Sequence, residues 1–73
     1  MTIEEQIATE LIERTKRNES LYYAGQIEGD GWYFAVSAVV YDDDIIPVWY
    51  ECSDNTVMFD EIRRIFQSKL RSV

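Results

Sequence analysis

Ten consecutive residues, Trp32 to Tyr41, carry no charge, and both of their alternating sets are apolar. One set is Trp32, Phe34, Val36, Ala38 and Val40; the other is Tyr33, Ala35, Ser37, Val39 and Tyr41. A strand at a solvated edge alternates apolar with polar residues, so this run reads as a central strand with a neighbour on each side. The flanking segments supply both neighbours. Leu21 to Ile27 is rich in aromatics and reads as the first strand. Glu28-Gly29-Asp30-Gly31 then joins it to the central one, and an Asp-Gly pair between apolar runs marks a hairpin because both residues tolerate positive φ. Asp42-Asp43-Asp44 ends the central run, and Ile45 to Glu51 forms a third strand. Pro47 confines that strand to a sheet edge or a bulge, since it has no N–H for the ladder.

Helical signals stand on either side of this block. Thr2 and Glu5 have the spacing of a capping box, in which each side chain serves the other's backbone amide. Ile3, Ile7, Leu11 and Thr15 recur every four residues with Ala8 and Ile12 beside them, so one apolar stripe runs along a helix over 3–17, with Asn18 as its stop. Glu4, Glu5 and Glu10 come early and Arg14, Lys16 and Arg17 late, an order that suits the helix dipole. Near the other end, Ser53-Asp54-Asn55-Thr56 offers several N-caps for a second helix. Its apolar face would hold Met58, Phe59, Ile62, Ile65, Phe66 and Leu70.

The order is α-β-β-β-α. Three sequential strands with short connections form an antiparallel meander, and both helices are expected on one face of it, an α+β fold in one domain spanning 1–73. At 73 residues the chain buries only ~60% of its unfolded surface, so its stability is expected to be modest. No apolar run approaches the ~18 residues of a membrane span. The start, Met1-Thr2-Ile3-Glu4-Glu5, has neither the basic nor the apolar part of a signal peptide. Cys52 is the single cysteine, which leaves no internal disulfide and favours a reducing, cytoplasmic setting.

Charge is segregated along the chain. Between Arg17 and Arg63 there is no lysine, arginine or histidine, and that 45-residue stretch carries ten carboxylates. Net charge is −7, so nucleic acid and anionic membranes would be repelled. The order α-β-β-β-α also occurs in double-stranded-RNA-binding domains, but those need basic residues at the start of the last helix. Here that place holds Asp54, Asp60 and Glu61.

Catalytic chemistry finds no footing. Histidine is absent, and with it the commonest general base and metal ligand. Cys52 has no basic neighbour in sequence to make it a thiolate. Gly25, Gly29 and Gly31 are not followed by a helix, so they make no phosphate loop. Asp42-Asp43-Asp44 runs into Ile45, Ile46 and Pro47, without the glycine and closing Glu of a calcium loop. No catalytic residue, no metal and no cofactor is expected.

What remains is binding. One sheet face under two helices can take about half of the strand aromatics, and alternation sends the others outward. With Phe34, Val36, Ala38 and Val40 toward the helices, Tyr33, Tyr41, Tyr22 and Trp49 would line the open face. Exposed Tyr and Trp are typical interface anchors. The expected partner-binding set is Glu28, Asp30, Tyr33, Tyr41, Asp42, Asp43, Asp44, Trp49 and Glu51, with the rings as anchors and the carboxylates as steering charges. The partner is expected to be a protein with a basic surface. The sharper expectation is an inhibitor that mimics nucleic acid. Carboxylates two residues apart on a strand lie ~6.6 Å from each other, about two phosphate rises of ~3.4 Å. Phage- or prophage-encoded anti-defence and immunity proteins suggest such a role by association. The alternative is a homo-oligomeric or scaffold module, monomer or homodimer, that makes no specific use of its acidic surface.

Overall fold

A computed structural model of the chain describes residues 1–15 and 21–71. Helix α1 spans Ile3–Arg14, strand β1 Leu21–Gly29, β2 Trp32–Tyr41, β3 Asp44–Cys52, and helix α2 Phe59–Arg71. The strands form one antiparallel sheet in the order β1-β2-β3, so the uncharged run is the central strand as its composition required.

Alternation sorts the sheet into two faces. Phe34, Val36, Ala38 and Val40 of β2 are buried together with Ile27 of β1 and Ile45 of β3. They share one core with Ile7, Ala8 and Leu11 of α1 and Phe59, Ile62, Ile65 and Phe66 of α2. Both helices therefore pack on the same side. Tyr50 completes this layer, its ring tilted 5.2 Å from that of Phe59 and 6.3 Å from that of Phe34.

The helix ends follow local chemistry. Thr2 caps α1 with the full reciprocal pair: its Oγ1 accepts from the Glu5 amide at 3.1 Å, and its amide donates to the Glu5 carboxylate at 3.0 Å. These bonds also hold the Glu5 carboxyl below its ordinary pKa. The helix stops at Arg14, three residues before the expected end, because Thr15 leaves helical geometry as its C-cap. Its amide bonds the Leu11 and Ile12 carbonyls, and its buried hydroxyl donates to the same Leu11 carbonyl at 2.6 Å, so the last turn is closed on itself. Asn18, the expected stop, lies outside the described residues.

At α2 the polar run serves a different end. The Asp54 carboxylate accepts from the Thr56 amide and hydroxyl, at 3.0 and 2.6 Å, closing a turn between β3 and α2. None of the expected N-caps reaches α2. Met58 takes the position before it, giving its carbonyl to Glu61 and Ile62. Its side chain is 57% exposed and lies off the apolar face on which the spacing had placed it.

The two hairpins also exchange roles. Gly31, not Asp30, carries positive φ, at 81°. In the second turn both Asp42 and Asp43 are left-handed, at φ 53° and 60°. Two such residues between paired Tyr41 and Asp44 give the tight twist-matched hairpin that Asn-Gly or Asp-Gly usually makes. On β3, Ser37 faces Trp49 while Ala38 faces Pro47, so Val48 is an extra residue in a bulge. Pro47 thus sits both on an edge strand and beside a bulge, the two places a sheet tolerates it.

Candidate functional site

The face of the sheet away from the helices is uncovered. Register places its side chains in rows: Tyr22, Val39 and Ile46; Ala24, Ser37 and Trp49; Gln26, Ala35 and Glu51; Glu28, Tyr33 and Ser53. Tyr41 follows at the hairpin end of β2. Exposure of Tyr22, Tyr41 and Trp49 is 62, 61 and 53%, which puts their rings in solvent as alternation required. Ile46 and Val48 are also exposed. Val48 projects because the bulge removes its cross-strand neighbour. Large apolar side chains gathered on one open face are the usual mark of an interaction surface.

Two of the tyrosines are held down on that face. The Tyr33 hydroxyl donates to Glu51 at 2.9 Å, across to β3, and this carboxylate raises the pKa of the phenol. The Tyr22 and Ser37 hydroxyls share a hydrogen bond between β1 and β2. A ring tethered at its tip has less rotamer freedom left to lose on binding.

The face has two halves. Around the β2–β3 hairpin it is apolar: Tyr22, Val39, Tyr41, Ile46 and Trp49. Toward the β1–β2 hairpin it is polar and acidic: Gln26, Glu28, Tyr33 and Glu51. Asp30 stands beyond the acidic half in its turn, and Asp42 and Asp43 stand beyond the apolar half in theirs. The acids therefore rim the face at both ends and do not form one cluster. Glu28, Asp30, Asp42, Asp43 and Glu51 are all exposed. Among the described residues, none of these five meets a basic side chain.

Asp44 stands apart from the other acids. Both of its oxygens accept from the Arg63 guanidinium, at 2.8 and 2.7 Å, and Gln67 donates to it at 2.7 Å. The Arg63 bonds are the main cause of its carboxyl falling to about 2, with burial opposing. This residue is engaged with α2 and does not share the outward field of Asp42 and Asp43. The row of carboxylates at two-residue spacing is therefore broken where Asp44 turns to α2.

All basic side chains of the described residues stand on the helices. Arg14 donates to Glu10, to the Tyr23 hydroxyl and to the Gln26 carbonyl on the outer edge of β1. Arg64 pairs with Glu61. Lys69 and Arg71 lie in the last turn of α2. Among the described residues the open sheet face carries acids without a cation, whereas on the helices five cations are interspersed with six carboxylates.

Other features carry less chemistry. An open cleft of about 570 Å³ lies at the sheet end, with Asp30, Trp32 and Asp54 in its wall. Trp32 lies there over Gly29, where a Cβ would come within 2.1 Å of the indole, so only glycine fits beneath it. Cys52 is a half-buried free thiol beside the core. Among the described residues, no group of three or more Cys, Asp or Glu side chains is placed to hold a metal, and no helix is long and apolar enough to cross a membrane.

Comparison with known proteins returns no match: no protein family, no characterised protein and no solved structure corresponds to this chain.

Proposed function

We propose that the protein is a protein-binding module, and that its open sheet face takes a partner whose contacting surface is apolar at its centre and basic at its margins. The observation that supports this most directly is the uncovered set Tyr22, Tyr41, Ile46 and Trp49 between two acidic margins that meet no cation among the described residues. Burial of those side chains would supply affinity. Glu28, Asp30, Asp42, Asp43 and Glu51 would supply rate and selectivity, because unpaired surface charge steers encounter more than it tightens a complex.

The second hairpin lends weight to a use for its charges. Two adjacent aspartates occupy left-handed positions for which Asn-Gly is the easier sequence. They bring like charges together as well. The second position favours glycine, so Asp43 is better accounted for by its charge than by the turn.

A nucleic-acid decoy is the narrower form of this reading. It would place the acidic margins on the arginines and lysines with which a partner normally grips phosphate. The departure of Asp44 to α2 shortens the regular row such a decoy would offer, so the broader form stands on firmer ground. Self-association through this face is disfavoured, because two copies would set identical acids against each other.

The test is affinity capture with three baits: the wild-type chain, Ile46→Ser/Trp49→Ala, and the helix-side variant Asp60→Asn. A specific partner is one retained by wild type and by Asp60→Asn and lost with the sheet variant. Short duplex DNA or RNA added as competitor then separates the forms, since it releases the partner from a decoy only. Equal capture by all three baits would refute the assignment of the face.

A further inference from the structure

We infer that the occupant of the open face is an amphipathic α-helix of the partner, laid along β2, with apolar residues at one end and Lys or Arg on the same side about nine residues away. This rests on the reading of the sheet face as the binding surface, and it adds the kind of element bound and its polarity.

Strand addition is obstructed at both edges. On β1, Arg14 reaches from α1 and occupies the outward carbonyl of Gln26 at 3.0 Å. On β3, Pro47 removes an N–H and the bulge at Val48 breaks the edge. Pro and bulges are devices by which natural edges refuse further strands. The partner must then meet side chains on the face.

The face has the dimensions of one helix. Three strands at ~4.8 Å spacing set the outer two ~10 Å apart, and a helix with its side chains is about 10–12 Å across. The middle of the face holds two small residues, Ala24 and Ala35, beside Ser37, to which the Tyr22 hydroxyl reaches. Larger side chains flank them: Tyr22 on β1 with Ile46 and Trp49 on β3 toward one end, and Tyr33 on β2 with Glu51 on β3 toward the other. The two alanines admit a helix closely.

The polarity of the occupant follows from the two halves. The row of Val39 and the row of Ala35 are four residues apart along β2, or ~13 Å. At 1.5 Å rise, a helix covers that distance in about nine residues. Leucines or similar residues would therefore lie over Tyr22, Val39 and Ile46, one cation would lie over Glu51, and a second, one row further along, over Glu28. A second copy of this chain offers no such helix side among the described residues. The apolar side of α1 and that of α2 are both spent in its own core.

The probe is a synthetic amphipathic peptide of about five helical turns, with leucines on one side of its first two turns and lysines on that side of its last two. Titration into 15N-labelled protein should shift the indole N–H of Trp49 and the amides of Val39 and Glu51, and leave Trp32 unchanged. A proline at the peptide's centre should weaken binding at least tenfold. Replacement of its lysines by glutamate should abolish binding. If the proline-broken peptide binds as well as the intact one, the helix is wrong while a basic partner stands. If the glutamate peptide binds as well as the lysine peptide, the basic-partner reading fails. Absence of any shift at millimolar peptide overturns both.

Discussion

Arg63 grips both oxygens of Asp44 across nineteen residues of chain, with Nε at 2.8 Å and Nη2 at 2.7 Å. A two-pronged guanidinium–carboxylate contact of this kind is among the stronger polar links available to a small domain. It ties the tip of the β2–β3 hairpin to α2. It also takes one aspartate of three out of the acidic margin.

This link has a pH signature. The folded carboxyl lies near 2, below its ordinary value of 3.8, so protonation favours the unfolded chain. The stabilisation is complete above about pH 4 and drains away as pH falls toward 2. Its size is about 1–2 kcal/mol after allowance for partial solvent screening. Urea unfolding of wild type and Asp44→Asn at pH 6, 4 and 2 should show a difference that is largest at pH 6 and nearly gone at pH 2. A gap that does not change with pH would mean that the pair contributes nothing electrostatic.

The capping box of α1 should be worth about 1 kcal/mol. In a domain of this size Thr2→Ala should then lower Tm by roughly 4–8 °C. Thr2→Ser, which keeps the acceptor, should lose little. Calorimetry on the three proteins checks the order.

At the second hairpin, stability and function are expected to pull apart. Asp42→Asn/Asp43→Gly puts residues suited to φ 53° and 60° in place of two like charges. Thermal melting should show a gain of about 0.5–1 kcal/mol. The same variant should associate more slowly with a basic partner. A destabilised variant would contradict the account of this turn.

The open face should tolerate what the core does not. Phe66, fully buried, should cost about 3–5 kcal/mol as alanine. Trp49→Ala and Ile46→Ser should each cost about 1 kcal/mol or less, because half of each side chain already meets water. Denaturant titration of the three variants makes the comparison. Similar losses at Trp49 and Phe66 would mean that Trp49 is part of the fold and not a free anchor.

Much of this architecture was legible in the chain because it rests on local periodicity. The alternation in Trp32–Tyr41 fixed which rings face the helices and which face solvent, since a pleat permits only two directions. Thr2 and Glu5 marked a helix start three residues apart. Features that depend on a choice between competing local bonds were not legible. Thr15 stays buried on the apolar stripe, yet its backbone leaves helical geometry there while its hydroxyl bonds the Leu11 carbonyl. Asp54 and Thr56 could cap α2 or satisfy each other, and they satisfy each other. Long-range pairing was equally hidden: nothing near Asp42-Asp43-Asp44 in sequence shows that Arg63 will claim the last of the three. The bulge at Val48 was foreshadowed by Pro47 alone, and its effect on exposure was not.

The acidic, aromatic sheet face as the site of partner binding is the claim that most needs testing. Its most direct test is the association rate of the captured partner, followed by stopped flow at low and high NaCl. Wild type should be compared with Asp42→Asn/Asp43→Asn/Glu51→Gln. We expect a rate that falls steeply with salt for wild type. At low salt the neutralised variant should be about tenfold slower, with a shallower dependence. Equal rates for the two proteins, or a wild-type rate indifferent to salt, would contradict the claim.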